Sequence, residues 1–289
     1  MGKKVCVVTW YGGTNYGTNL QAYALVKKLN LMGYTATIKG DIKKNVNYFF
    51  HPSIVLDRIR CKLNNIILKK NSNPNTEDDK KIELFKEFVD EIPKFNSYGE
   101  YAAFITGSDQ VWNPNYFQGA MMLDFVTSGE IKKIAYAPSI GVNNLSVKIQ
   151  HKYKKLLKSY CAVSVREEKA AELLKDISPV PVQVVLDPTM LLTYTEWDEL
   201  SDRAVIQNEW NTKEDYILCY FVGDRCDYGN YVKQIINETN MQCLVIPINK
   251  NASLDGCKTI EGVGPNEFIW LIKNASIVVT DSFHASVFS

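Results

Sequence analysis

No run of about 18 apolar residues occurs in the 289-residue chain, so no segment reads as a membrane-spanning helix. Nor does either charge dominate: 33 Lys and Arg stand against 32 Asp and Glu, a formal net charge of +1. A general nucleic-acid binder carries a clear basic surplus, and this chain does not. Its seven cysteines, at 6, 61, 161, 219, 226, 243 and 257, form no C-x-x-C pair. Several, such as Cys6, Cys161 and Cys219, sit in apolar runs, where a free thiol behaves as a small hydrophobe, so reduced core thiols in a cytoplasmic protein are expected. The apolar run after Lys4, Val5 to Val8, is too short for a signal-peptide core and suits a strand. Cys6 stands where a myristoylation signal requires Ser or Thr. The P-loop, G-x-S-x-G and H-E-x-x-H patterns are absent, as is any clustered His/Cys/Asp set, so no metal site is signalled.

What is present is an alternation of strand-length apolar runs with amphipathic segments. Val5–Thr9 reads as a buried strand. A helix follows from about Asn19 to Leu31, with Thr18 and Gln21 in capping-box spacing. Gly33 ends it, and Tyr34–Lys39 is a second strand. Residues 42–80 form an excursion that closes in a polar loop, 69–81. Ile82, Phe85, Phe88, Val89 and Ile92 then recur at helical spacing up to Pro93. Strands are expected at Ala102–Thr106, Ile134–Ala137, Cys161–Val165 and Val182–Leu186, with helices over 148–158 and 167–175. The lysines near 152–158 read as a solvated helix face.

From 193 to 215 the chain is polar, anchored by Trp197 and Trp210. Alternation then resumes with strands Tyr216–Val222, Gln242–Pro247 and Ser276–Thr280 and helices over 229–239 and 265–273. The pattern implies an α/β protein with two Rossmann-like parallel-sheet domains, 1–192 and 215–289, joined by 193–214. A helix has only just begun at the carboxyl end, so the second domain is expected to be incomplete.

Ligands of open α/β sheets lie beyond the carboxyl ends of the strands, and four such places carry chemistry. The loop Tyr11–Asn19 offers glycines, Asn15, Tyr16 and Asn19 before a helix N-terminus, though not in dinucleotide spacing. The stretch Gly107-Ser108-Asp109-Gln110-Val111-Trp112-Asn113 offers a carboxylate, amides and an indole suited to a hydroxyl-rich substrate. Its plainer reading is an Asp turn packed over Trp112. Arg166 follows a strand and opens a helix, a position that becomes favourable when an anion is clamped there. Ser282 and His284 follow the last strand, with Asp281 or Ser282 expected to cap the helix whose first turn holds the histidine. A helix N-terminus keeps a histidine neutral and available as an acid or base.

Taken in order, these segments resemble the polysaccharide pyruvyl transferase family. The matching pieces are Gly12–Asn19, Ile105–Asn113, Ser164-Val165-Arg166-Glu167, Leu186-Asp187-Pro188-Thr189 and Asp281-Ser282-Phe283-His284. Ala285 departs from the glycine usual in the family. The resemblance implies a GT-B-like arrangement, with the first domain on the acceptor side and His284 reaching the cleft. It implies transfer of a pyruvyl group from phosphoenolpyruvate, as co-substrate, to two hydroxyls of a glycan-precursor sugar, forming a ketal in surface polysaccharide synthesis. It casts His284 and Asp109 as catalytic groups and Arg166 and Ser282 as donor-binding ones. Asn15, Tyr16, Asn19, Ser108, Gln110, Trp112 and Asn113 then contact substrate, with Tyr11, Tyr16 and Trp112 stacking on a sugar. No metal, redox cofactor or nucleic acid is called for, and membrane association is expected only through a lipid-linked acceptor. Two other readings stay open: a nucleotide-sugar glycosyltransferase and a non-catalytic glycan-binding module.

Overall fold

The computed structural model describes residues 2–39, 76–96, 101–223, 228–248 and 253–289. Most of the 42–80 excursion, with His51 and Cys61, lies outside the described residues, as does Cys226. The chain forms two compact units, one of Met1–Trp10, Leu29–Thr76 and Pro93–Leu186, the other of Tyr11–Lys28, Glu77–Ile92 and Asp187–Ser289. Segments 11–28 and 77–92 therefore group with the carboxyl-terminal part of the chain, although they precede residue 192.

The first unit is built on a six-stranded parallel sheet in the order β2-β1-β3-β4-β5-β6. Its strands are β1 (Lys4–Val8), β2 (Thr35–Ile38), β3 (Ala103–Thr106), β4 (Lys132–Ala135), β5 (Tyr160–Val165) and β6 (Val182–Val184). β3 is buried at every residue, which explains its unbroken apolar run: a central parallel strand meets packing on both faces. Phe104, Trp112, Tyr153 and Leu157, all fully buried, form the heart of the core. Strand order reverses between β1 and β3, and there the Thr9 hydroxyl donates to Ser108 O across 3.0 Å.

The second unit has a four-stranded parallel sheet, β10-β7-β8-β9. Its strands are β7 (Tyr216–Tyr220), β8 (Gln242–Val245), β9 (Lys258–Thr259) and β10 (Ile277–Thr280). Counted within the unit the order is 3-2-1-4, the order of the first four strands of a dinucleotide-binding sheet, with its reversal between β7 and β10. Among the described residues the α-helices are α1 (Tyr16–Leu31), α2 (Thr76–Asp90), α3 (Val147–Leu157), α4 (Glu168–Leu174), α5 (Tyr194–Ser201), α6 (Tyr228–Thr239), α7 (Pro265–Asn274) and α8 (Phe283–Phe288). The connection after 193 is organised by a capping box: the Thr193 hydroxyl accepts from Glu196 N, and the Glu196 carboxylate accepts from Thr193 N. Both tryptophan anchors, Trp197 and Trp210, are buried.

Three expectations change. α1 starts at Tyr16 rather than Asn19, because Asn15 Oδ1 accepts from Thr18 N and Gln21 donates to Thr18 O instead of closing a box. Residues 76–81 are helical in α2 rather than loop. The thiols are not all free: Cys243 and Cys257 form a disulfide. The parallel register pairs Leu244 with Lys258, which sets the two preceding cysteines side by side, a proximity invisible in a spacing of 14 residues. Cys6 and Cys219 are buried as expected, and burial pushes both thiols up to about 12, whereas Cys161 is exposed. Alkylation of the native protein at pH 8, read by peptide mass, should therefore modify Cys161 and spare Cys6 and Cys219 until the chain is unfolded. Cys243 and Cys257 should react only after reduction. Equal labelling of Cys6 and Cys161 in the native state would refute this placement.

Candidate functional site

In the first unit the carboxyl ends of β3, β4 and β5 are stitched into one rim. Gly107, with φ +114°, approaches the carbonyl of Tyr136 so closely that a Cβ would lie 2.0 Å from its oxygen. Asp109 also has positive φ, and its carbonyl accepts from Ser139 N at 2.8 Å. Ser139 in turn accepts from Trp112 N through its carbonyl and donates its hydroxyl to Glu167 Oε1. That same carboxylate oxygen takes Ile140 N at 2.9 Å. Glu167 is thus engaged with the rim, and Arg166 stands half-buried beside it at the end of β5.

This rim reassigns several expected substrate contacts. Trp112 has no exposed surface, and its indole N–H donates to Met121 O, so its ring offers no face to a sugar. Ser108 is equally buried and gives its hydroxyl to Ala137 O. Asn113 is 4% exposed, caps a short turn through Asn115 N and donates to Gln110 Oε1. Their polar groups satisfy backbone and neighbouring side chains, as buried polar groups must. Asp109, half-buried, and Gln110, exposed, remain on the solvent side of the rim.

The second unit holds the glycine loop. Gly12 and Gly13 take φ of 84° and 67°, which L-residues adopt only with strain, so the chain reverses tightly into α1. Asn19 locks that reversal from within: its Oδ1 accepts from Gly12 N at 2.7 Å, and its amide donates to Gly13 O and Asn15 O. Being fully buried, it shapes the loop rather than meeting a ligand. Tyr16 is likewise a core residue. Its ring stacks on Phe268 at 4.1 Å, its hydroxyl donates to Val263 O, and burial raises its pKa well above the ordinary value. Asn15 is exposed at the start of α1 and Tyr11 is half-buried.

His284 lies in the first turn of α8, where Ser282 Oγ caps the helix by accepting from Ala285 N. Its imidazole rests on Gly17 of α1: a Cβ at Gly17 would fall 2.1 Å from Nδ1. The opposite nitrogen, Nε2, faces Asp187 Oδ2 at 3.9 Å. Asp187 is wholly buried, and its other oxygen accepts both Thr189 N at 3.0 Å and the Thr189 hydroxyl at 2.7 Å. The Thr189 carbonyl is fixed in turn by the Trp197 indole. A carboxylate held this way can stabilise positive charge on the ring. Sequence reasoning gave neither Asp187 nor Gly17 a role, although both lie in segments that carry the family resemblance. The Asp-Pro-Thr turn after β6 was the signal for the first, and a glycine in the first turn of a helix for the second.

At the strand reversal of the second sheet the amides of Val222 and Gly223 point at one place, which an anion would favour. Asp281 fills it, accepting from them at 2.6 and 2.8 Å. Among the described residues one cysteine group, Cys219, Cys243 and Cys257, has metal-like proximity, but two of its sulfurs are tied in the disulfide. No described helix is long and apolar enough to cross a membrane. Gly17→Ala provides a test of the histidine's seat. In a helix Gly→Ala ordinarily stabilises by about 1 kcal/mol. Here the methyl group must displace the imidazole, so any activity that uses His284 should fall by at least about 100-fold, while the melting temperature changes little. Full activity in Gly17→Ala would show that the ring's position is immaterial.

Known structures of similar shape include the UDP-N-acetylglucosamine 2-epimerase of Rickettsia bellii, 12% identical with a TM-score of 0.48, covering 100% of this chain and 76% of that one. S. aureus MnaA with UDP is 13% identical with a TM-score of 0.48, covering 99% and 77%. No curated protein has a significant sequence match. The model of the family described as polysaccharide pyruvyl transferase matches residues 15–289, a span that includes Gly17, the 107–113 rim, Asp187 and His284, and the chain belongs to that family.

Proposed function

We propose that the protein transfers the pyruvyl group of phosphoenolpyruvate to two hydroxyls of one sugar in a glycan precursor. The observation that carries this reading is the seated imidazole: His284 held between Gly17 and the buried Asp187. The reaction begins when one sugar hydroxyl adds to the enol carbon while the donor methylene takes a proton and becomes a methyl group. Phosphate then leaves that carbon, and the second hydroxyl closes the ketal. Two hydroxyl protons are released; one replaces the proton delivered to the methylene and the other leaves with phosphate. His284 is the proposed proton donor, and Asp187 offsets the charge of its protonated ring. Arg166 is the proposed partner for the donor's anionic groups, and Asp109 for an acceptor hydroxyl. The filled amide pair at Val222 and Gly223 supports this donor over a nucleotide sugar, whose diphosphate would have to displace the Asp281 carboxylate.

Phosphate release from phosphoenolpyruvate, dependent on an added glycan precursor, is the expected activity. His284→Gln should lower kcat by about 100- to 10,000-fold, the usual range for a lost general acid. Asp187→Asn should lower kcat and move the alkaline limb of its pH profile towards lower pH, because the neutral amide no longer favours the protonated, proton-donating ring. Wild-type kinetics in both variants, or turnover of a nucleotide sugar with none of phosphoenolpyruvate, would overturn the reading.

A further inference from the structure

The near-zero net charge conceals a strong asymmetry. Residues 131–166 contain seven lysines and one arginine and no aspartate or glutamate, which leaves 25 basic against 32 acidic residues in the rest of the chain. The stretch includes β4, α3 and β5 of the first unit. α3 concentrates the charge. Lys148, His151, Lys152, Lys154, Lys155 and Lys158 are all exposed, whereas Tyr153 and Leu157 turn inward. At 100° per residue the exposed group, with Val147, occupies one continuous arc of about 160°. Lys132 opens β4 one residue before the Lys133–Tyr160 pairing, so it stands at the same end of the sheet as Lys158.

Two ordinary explanations cover only part of this. Lysines in a last helical turn offset the helix dipole, which accounts for Lys154 and Lys155 but not for Lys148 in the first turn. An exposed helix face is usually laced with i,i+4 pairs of opposite sign, whereas here 148/152 and 154/158 are like-charged and mutually repulsive. Burial, followed by the charge of Lys148, lowers the pKa of Lys152, while Asp124 acts the other way. Asp124 is exposed and lies outside the helix. Lys152 also lays its ammonium over the Phe117 ring, which fixes its stem.

We propose that the α3 face is a docking surface for an anionic lipid bilayer. The charge is supplied by lysine on a helix with no arginine and no exposed Phe, Tyr or Trp. Nucleic acids are characteristically gripped by the planar guanidinium and by stacking on open aromatic rings; the helix has no arginine, and the neighbouring Phe117 ring is covered by Lys152. Lysines are mobile point charges on apolar stems, suited to headgroup phosphates that have no fixed geometry. Val147, 67% exposed at the head of the arc, adds an apolar contact at the same face. The net negative charge of the rest of the chain disfavours other orientations on such a surface. The inference is independent of the proposed reaction, because it requires no turnover.

Sedimentation of the full chain with phosphatidylcholine vesicles, with and without 30 mol% phosphatidylglycerol, tests it. Binding is expected only with the anionic lipid, and each lysine near the surface contributes about fivefold in partitioning. Lys148→Glu/Lys155→Glu should weaken binding by at least about 25-fold, and 0.5 M NaCl should abolish it. Circular dichroism and the melting temperature of the variant confirm that α3 is folded. Two exposed lysines outside the arc, Lys169 and Lys233, changed together to Glu, serve as the matched control. Equal losses in the two variants would reduce the effect to net charge and overturn the assignment, as would absence of binding at 20 mM salt. Tighter binding of an oligothymidylate than of the anionic vesicles would make the face a nucleic-acid site instead.

Discussion

The candidate chemistry of the second unit depends on a missing Cβ. Because residue 17 is glycine, the imidazole of His284 lies flat against the first turn of α1, and its other edge meets Asp187. Three segments, at Gly17, Asp187 and His284, meet at this ring, and each arrives with its own local support. Asn19 braces the loop that starts α1, Thr189 donates twice to Asp187, and Ser282 caps α8. The supports are needed because a carboxylate taken fully out of water costs several kcal/mol unless hydrogen bonds or a positive charge compensate. Two donors from Thr189 supply part of that compensation, and a protonated ring supplies more. The carboxylate facing Nε2 is what distinguishes this histidine from one that is merely packed.

The architecture was legible because parallel sheets announce themselves. Strands buried on both faces read as short apolar runs, and β3, β7 and β8 sit within two residues of where the runs place them. The capping signals were less dependable: Thr18 and Gln21 have capping-box spacing, yet Asn15 begins the helix and Gln21 turns back to Thr18. Several side chains compete for the same few amides, and spacing alone does not select the winner. The histidine was also recoverable, because its rarity and its place after a terminal strand are visible in one dimension. The partner that positions it was not, since Asp187 looks like any turn aspartate until the fold brings it beneath the ring.

The polar stretch 107–113 shows why residue type alone misleads at the end of a strand. An amide, an indole, a hydroxyl and a carboxylate there suggest ligand contacts. The same groups are also what a tight chain reversal needs to satisfy its own backbone. Trp112 and Ser108 spend their donors on Met121 O and Ala137 O, so they build the rim, and only its outermost members keep a side chain towards solvent. Tyr16 repeats the lesson in the second unit, where an aromatic in a glycine loop turns out to be the stacked partner of Phe268.

The sheet orders carry a last consequence. Both sheets reverse their strand order as nucleotide-binding folds do, and in such folds the backbone at the reversal receives a phosphate. In the first unit Thr9 bonds to the carbonyl of Ser108 across that point, and in the second Asp281 occupies the amides of Val222 and Gly223. The second unit has thus satisfied internally two amides that would otherwise recruit a phosphate. A carboxylate in an amide pair is especially exclusive, since an incoming phosphate meets like charge as well as a lost hydrogen bond. An anion approaching that end of the second sheet would then have to be held by cationic side chains instead. The fold of a nucleotide binder is in this way compatible with a reaction that uses no nucleotide.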